Sequence, residues 1–407
     1  MKTLLKTLAI FFFGAFALVG CEMMGTEDES GDGDNKDDNK PTTTFKIVAD
    51  KTTIYNNGED FATFTLYYDG KKLTEDYIIY VGETPLEGNT FSSTEKGTFV
   101  IWAEHGATIS NELSINVIAT PPAAPAAPED TNPEKNDFVR RVLLTQFTGT
   151  GCGYCPNMMN ALYVLSNNEA YKEYYNKCVI AAAHLFNVTD PAYLEDAKTL
   201  DNSVGVSSFP NLVADLNRGA KADPNIVSIT SVINTSISRV SVKGGIAVNT
   251  EYHAEDGYVM VNATVKAKTT EEFRVGAWLL EDDIDGAQSN NGITPVQGVN
   301  FDKHNNCIRI ANSRYTNTDF TGYSLGTIEA GSTASHEFAF KLKDNGKGGA
   351  NYWNHDNLRL IVFISTKEGN NWYVNNVVKA PIQGSVDFEY ETAAVPETPE
   401  TPETPEA

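Results

Sequence analysis

Residues 143–158 read LLTQFTGTGCGYCPNM, and the fold of the middle of the chain turns on them. The apolar opening is a buried strand and the glycines make a turn. The run that follows places Met159, Leu162, Val164 and Leu165 on one side of a helix. Cys152 and Cys155 sit at that seam. A cysteine at a helix start is favoured as thiolate by the unpaired N–H groups and the dipole there. Cys155, three residues on, lies within the separation a disulfide requires.

CVIAAAHLF, residues 178–186, is a second fully buried strand, so strand, helix and parallel strand form a βαβ unit with a right-handed crossover. Helices follow over 190–202 and 224–238, with Phe209-Pro210 between them, just before the extended NLVADL. The segment after Pro210 is read as too short for a two-stranded hairpin.

Upstream, residues 119–137 are rich in proline and alanine and read as a semi-rigid, extended linker. Residues 44–118 carry short alternating runs, among them FATFTLYYDGKKLT with a hairpin signal at Asp69-Gly70. The pattern predicts an all-β sandwich. GTFVIWAEHGATISNELSINV resembles the last two strands of a bacterial immunoglobulin-like domain, with Phe99, Ile101 and Ala103 on the core face.

Beyond residue 240, YVMVNATVKAK puts Val259, Val261, Ala263, Val265 and Ala267 on one face and Asn262, Thr264, Lys266 and Lys268 on the other. Further runs of this kind continue to residue 389 and predict a C-terminal β-sandwich over 241–389. The PET repeats of 390–407 read as a disordered tail.

The chain opens MKTLLKTLAIFFFGAFALVGC. Lys2 and Lys6 precede an apolar run shorter than the roughly 20 residues a spanning helix needs. Leu18, Val19 and Gly20 then lead into Cys21, as in the lipobox of bacterial lipoproteins. Residues 1–20 read as a lipoprotein signal peptide, Cys21 as the acylated residue that enters the lipid bilayer, and 21–43 as an acidic disordered tether. A net charge of −23 argues against nucleic acid as a partner. No Gly-rich phosphate loop and no Ser-His-Asp grouping stands out, so the sequence calls for no cofactor and no metal.

Two resemblances follow from these residues. Region 138–240 resembles the thioredoxin-like superfamily, in which a cis-proline opens the strand beside the dithiol, the place held here by Phe209-Pro210. With the C-terminal sandwich it resembles the outer-membrane lipoprotein family related to the twenty-eight-kilodalton Omp antigen of Bacteroidetes-type bacteria. LLTQFTGTGCGYCPN, FPNLVADLNR, AWLLEDDI, HNNCIRIAN and LRLIVFIST with NWYVNNVVKAP carry that likeness. It implies an outer-membrane lipoprotein, surface-exposed or periplasm-facing, with a binding, adhesion or receptor role.

The thioredoxin likeness implies thiol–disulfide exchange instead, with Cys152 attacking a protein disulfide substrate, Cys155 resolving it, and Phe209-Pro210 meeting the substrate backbone. Three departures bear on that reading. Gly151 stands where redox enzymes carry Trp, Gln146 where thioredoxins bury a proton-relaying Asp, and Pro156 moves the helix start past Cys155. The alternative is a permanent Cys152–Cys155 staple in a surface protein that binds some other ligand. A zinc site lacks a second CxxC. Cys178 and Cys307 are read as packed thiols, a bridge between them staying open, and His184 as a packed or hydrogen-bonded histidine. His304, Arg309 and the acidic turn Glu281-Asp282-Asp283-Asp285 are read as solvated loops.

Overall fold

Strands dominate, because β-branched and aromatic runs recur along most of the chain. The computed structural model describes residues 44–392. The signal peptide, the lipidation site Cys21, the tether and the tail from 393 lie outside the described residues. Two compact units emerge.

The described part of the first unit takes in residues 44–52, 62–91 and 98–115. Phe45–Ala49 pairs antiparallel with Ala62–Tyr68, which turns back at Asp69-Gly70 so that Tyr68 faces Lys71. Both turn residues have positive φ, 46° and 75°, which Asp-Gly accepts and most pairs resist. Ile78–Val81 pairs with Thr84–Leu86 and with Ile101–Glu104. Ile101 and Ala103 are buried and Phe99 half-buried.

In the second unit β1 (Val142–Thr148) and β2 (Cys178–His184) run parallel, joined through α1 (Pro156–Asn167). α2 (Ala197–Ser203) precedes β3 (Asn211–Ala214), which is antiparallel to β1 and pairs with β4 (Lys221–Ala222). A hairpin therefore does form after Pro210. It fits because β4 is two residues long and the chain reverses through Asp215 and Leu216, at φ 53° and 52°. α3 (Ile226–Arg239) is capped by Asn225, whose side chain accepts from the Ser228 N–H at 2.9 Å. Ile229 and Ile233 of α3 join Met158 and Leu165 of α1 over Val142 and Leu144.

The strands that follow in the two large sheets of this unit are β5 (Gly244–His253), β6 (Tyr258–Ala267), β7 (Glu271–Glu281), β8 (Cys307–Asn312), β9 (Tyr323–Ile328), β10 (Thr333–Lys341), β11 (Leu358–Glu368), β12 (Asn371–Pro381) and β13 (Gly384–Val386). They do not stand apart from the α/β region. β2 pairs in parallel with β8 where Ala182 meets Cys307, so one nine-stranded sheet runs β4-β3-β1-β2-β8-β7-β11-β12, with β9 on β7. The sheet crosses the boundary expected at residue 240. A pairing this short leaves no pattern in the sequence.

The four-stranded sheet β10-β6-β5-β13 covers one face of β7 and β11, with Val261, Val265, Val275 and Val362 between them. On the other face Trp278, Leu280 and Phe363 join Leu143 and Phe147 of β1 and Leu200 of α2. β7 is thus buried on both sides, which explains its unbroken apolar run. β12 returns to the start of the sheet: the Val374 N–H donates to the Asp215 carbonyl at 3.0 Å, and Arg140 Nε to the Asn375 carbonyl at 2.9 Å.

The polar face of β6 is not open to solvent. Residues 119–137, expected as a semi-rigid, extended linker, lie along it as a strap. Asn262 Nδ2 donates to the Pro125 carbonyl at 3.1 Å, and Lys266 Nζ to Asp130 at 2.7 Å and to the Pro133 and Lys135 carbonyls, both at 2.8 Å. A proline-rich strand has carbonyls to offer and few N–H groups, so it matches a face made of side-chain donors. Tyr390, assigned to the tail by its sequence, donates to Asp130 at 2.9 Å and stacks on Phe138 at 5.0 Å.

Lys266 has only 2% of its side chain exposed, so its loss leaves Asp130 without its counter-charge and two carbonyls without their donor. Lys266→Ala is expected to cost about 3 kcal/mol and to open residues 119–137 to protease. Equilibrium denaturation and limited proteolysis read both effects. A variant with unchanged midpoint and an uncut strap would refute the assignment.

Candidate functional site

Cys152 and Cys155 form a disulfide, with Cα atoms 5.4 Å apart. Cys152 is 4% exposed and Cys155 0%, which leaves almost no surface for an incoming thiol. α1 begins at Pro156, and Cys155 at its N-cap stays helical (φ −62°, ψ −25°) despite preceding a proline. The Cys155 N–H donates to the Cys152 carbonyl at 3.2 Å, the Asn157 N–H to that of Tyr154 at 3.2 Å, and the Met158 N–H to that of Cys155 at 3.0 Å. These groups are spent on backbone, so the help a helix start lends a thiolate does not reach Cys152.

Two distant segments press on the glycine-rich turn. A Cβ on Gly149 would lie 2.6 Å from Phe186 Cβ and 3.0 Å from the Phe186 backbone nitrogen. One on Gly153 would lie 2.4 Å from Asn291 Oδ1. Phe186 also overlies Gly151, supplying an aromatic ring where that glycine has none. It meets Phe209 edge-on at 5.9 Å. Phe209 is joined to Pro210 by a cis bond at the entry to β3, and it reaches the turn through Phe186.

The second segment is the loop 286–300, between the short paired strands Ile284–Asp285 and Lys303–His304. The Ser289 N–H donates to the Thr150 carbonyl at 2.8 Å and the Asn291 N–H to that of Gly153 at 3.0 Å. Gln288 Nε2 donates to the Cys152 carbonyl at 2.9 Å, with those of Thr150 and Gly149 at 3.2 and 3.3 Å. Asn160 of α1 holds the loop from the other side, donating to the Thr294 carbonyl at 2.9 Å and accepting from the Val296 N–H at 3.0 Å. Nothing in 286–300 reads as functional in isolation, so Gln288 and Asn291 escape sequence reasoning.

Beneath the turn lies a buried relay. Asp190 accepts from the Thr150 N–H at 2.7 Å, the Ala192 N–H at 2.8 Å and His184 Nδ1 at 2.9 Å. His184 Nε2 lies 3.5 Å from Cys307 Sγ, and the His304 ring meets His184 edge-on at 5.1 Å. Burial opposes a charge on His184, but the Cys307 sulfur and the Asp190 carboxylate outweigh it and hold its proton above the usual imidazole range. Burial likewise opposes the Asp190 charge, and the bonds from His184 and two N–H groups keep that carboxyl well below the usual range. Burial, then the neighbouring His184, holds His304 down.

Cys178 and Cys307 are both free and buried, so no bridge joins them. Burial pushes the Cys178 thiol up to about 12, which makes it unreactive at neutral pH. The residues around His304 are not solvated loops. Glu281 and Arg309 form a buried ion pair at 2.6 Å, and His304 is buried with Nε2 on the Gly286 carbonyl at 2.9 Å. Only Asp283 and Asp285 of the acidic turn face outward, both holding Lys303 at 2.9 Å. Among the described residues no group of three or more His, Cys, Asp or Glu is placed to hold a metal ion, and no helix is long and apolar enough to cross a membrane.

Residues 197–386 match the family model of the outer membrane protein Omp28. No curated protein matches the chain. Among solved structures, the three N-terminal domains of the highly immunogenic outer capsid protein (Hoc) of bacteriophage RB49 align with 7% identity, covering 86% of this chain and 100% of that one, at a TM-score of 0.15. So low a score carries nothing about fold.

The relay makes stability depend on pH at both ends. Asp190 is depressed in the folded state, so its contribution is present above about pH 4 and lost as pH falls below that. His184 is raised, so its contribution is complete below about pH 6.5 and lost as pH rises through the higher folded value. Asp190→Asn is expected to cost about 3 kcal/mol near pH 6 and to flatten both flanks of the stability profile. Denaturation midpoints from pH 3 to 10 test this, and parallel profiles for the two proteins would refute it.

Proposed function

Because this chain is an Omp28-related outer-membrane protein, we propose that it acts there as a binding protein whose Cys152–Cys155 disulfide is a staple. Acylated Cys21 anchors it in the lipid bilayer, and the first unit serves as an immunoglobulin-like module. β1, α1, β2 and β3 with α3 keep a thioredoxin-like arrangement as scaffold. One observation carries the reading: the disulfide is buried and covered by the loop 286–300, whose Gln288 side chain binds the carbonyl of Cys152 itself. A substrate disulfide would have to displace that loop before it met either sulfur. The three-residue spacing adds little chain-entropy stabilisation, so the staple acts locally, holding the turn against Phe186 and Asn291.

The test is a redox titration of the full mature chain, carrying Cys21→Ser to keep it free of detergent, with thiols counted by alkylation and mass. The expected midpoint lies below about −300 mV, with reduction accompanied by local opening of the turn. A midpoint of about −270 mV or higher, with Cys152 alkylated first, would replace the staple by thiol–disulfide exchange.

A further inference from the structure

Behind α1, against the β1–β2 face and walled by residues 298–306, lies a cavity of about 610 Å³. Its floor is apolar, from Leu162 and Ile180. Two polar side chains break that floor. Gln146 and Thr148 are 6% and 4% exposed, line the cavity, and make no side-chain hydrogen bond among the described residues. Their polar atoms meet no protein partner and open into the cavity, where they can donate to or accept from what enters it. At the exposed edge Lys379 lies over the Tyr175 ring at 5.0 Å and has no carboxylate partner among the described residues. The other charges there are engaged: Arg359 with Asp282, and Lys303 with Asp283 and Asp285.

We infer that this cavity is the binding site for a small organic anion with an apolar body and a hydrogen-bonding group. The anion meets Lys379, the body lies on Leu162 and Ile180, and Gln146 and Thr148 receive the hydrogen-bonding group. A cationic ligand finds no open carboxylate, because Asp282 also accepts from the Asn306 N–H at 2.6 Å. The volume is in the range of small-molecule sites. Gln146 thereby gains a role in place of the acid that a thioredoxin would carry there: an amide cannot relay a proton, but it can both donate to and accept from a ligand. This deepens the binding-protein reading and rests on it.

Two dyes serve as probes on the same mature chain: the sulfonate 1-anilinonaphthalene-8-sulfonate and the uncharged N-phenyl-1-naphthylamine. The sulfonate is expected to bind saturably, one per chain. Ala182→Leu, which adds bulk to the cavity wall, is expected to weaken it at least about tenfold without lowering the melting temperature. Lys379→Ala is expected to weaken the sulfonate and leave the neutral dye unchanged. Gln146→Leu is expected to hold or raise the melting temperature, since its amide has no protein partner to lose. Absence of saturable binding, or binding indifferent to Ala182→Leu, would overturn the site. Equal loss of both dyes in Lys379→Ala would overturn the anion. A lowered melting temperature in Gln146→Leu would overturn the claim that its amide awaits a ligand. A disulfide that resists reduction in a protein that binds no dye would sink this inference alone, whereas ready reduction with saturable binding would sink only the staple.

Discussion

One short pairing organises the second unit. β2 and β8 meet where the Ala182 N–H donates to the Asn306 carbonyl at 2.7 Å, and every feature around the disulfide follows from it. β8 lies beside β2, and the long connection from β7 to β8, residues 282–306, runs over the C-terminal ends of β1 and β2. Those ends carry the glycine-rich turn. The crossing therefore lays 286–300 over Cys152, sets His304 against His184 with Cys307 under its Nε2, and brings 298–306 to the cavity wall. Cover, relay and cavity are products of a single topological choice.

Local patterns were legible in the sequence because local chemistry controls them. Asp69-Gly70 makes its turn, Pro156 starts its helix, and Val142 to Thr148 is buried from end to end. What depends on a distant partner was not legible. Alternation along β6 correctly separates an apolar from a polar face, yet nothing in it tells that a proline-rich segment more than a hundred residues earlier will cover Lys266. Gly151 reads as a missing aromatic until Phe186 arrives over it. His304 and Arg309 read as surface residues because their companions, Gly286 and Glu281, come from segments about twenty residues or more away that only the fold brings near.

Several buried charges inside this unit are paired at the places where segments meet. Arg140 pairs with buried Asp215 at 2.9 Å, Arg309 with Glu281, and Lys266 with Asp130 and two carbonyls. Such pairs contribute little net stability, since desolvation offsets most of the attraction, but each removes the alternatives that an all-apolar seam would tolerate. Strap, sheet and loop are thereby held in one arrangement.

The loop that covers the disulfide also imposes an order on maturation. Gln288, Ser289 and Asn291 lie more than a hundred residues downstream of Cys152 and reach the turn only after β7 and β8 have joined the sheet. Once they dock, oxidants are shut out as effectively as reductants. The bond between Cys152 and Cys155 therefore has to be made while the C-terminal half of the chain is still emerging or unfolded, by whatever oxidising agent meets the nascent turn outside the cytoplasm. A chain that folds first and oxidises later would seal two reduced thiols under its own loop.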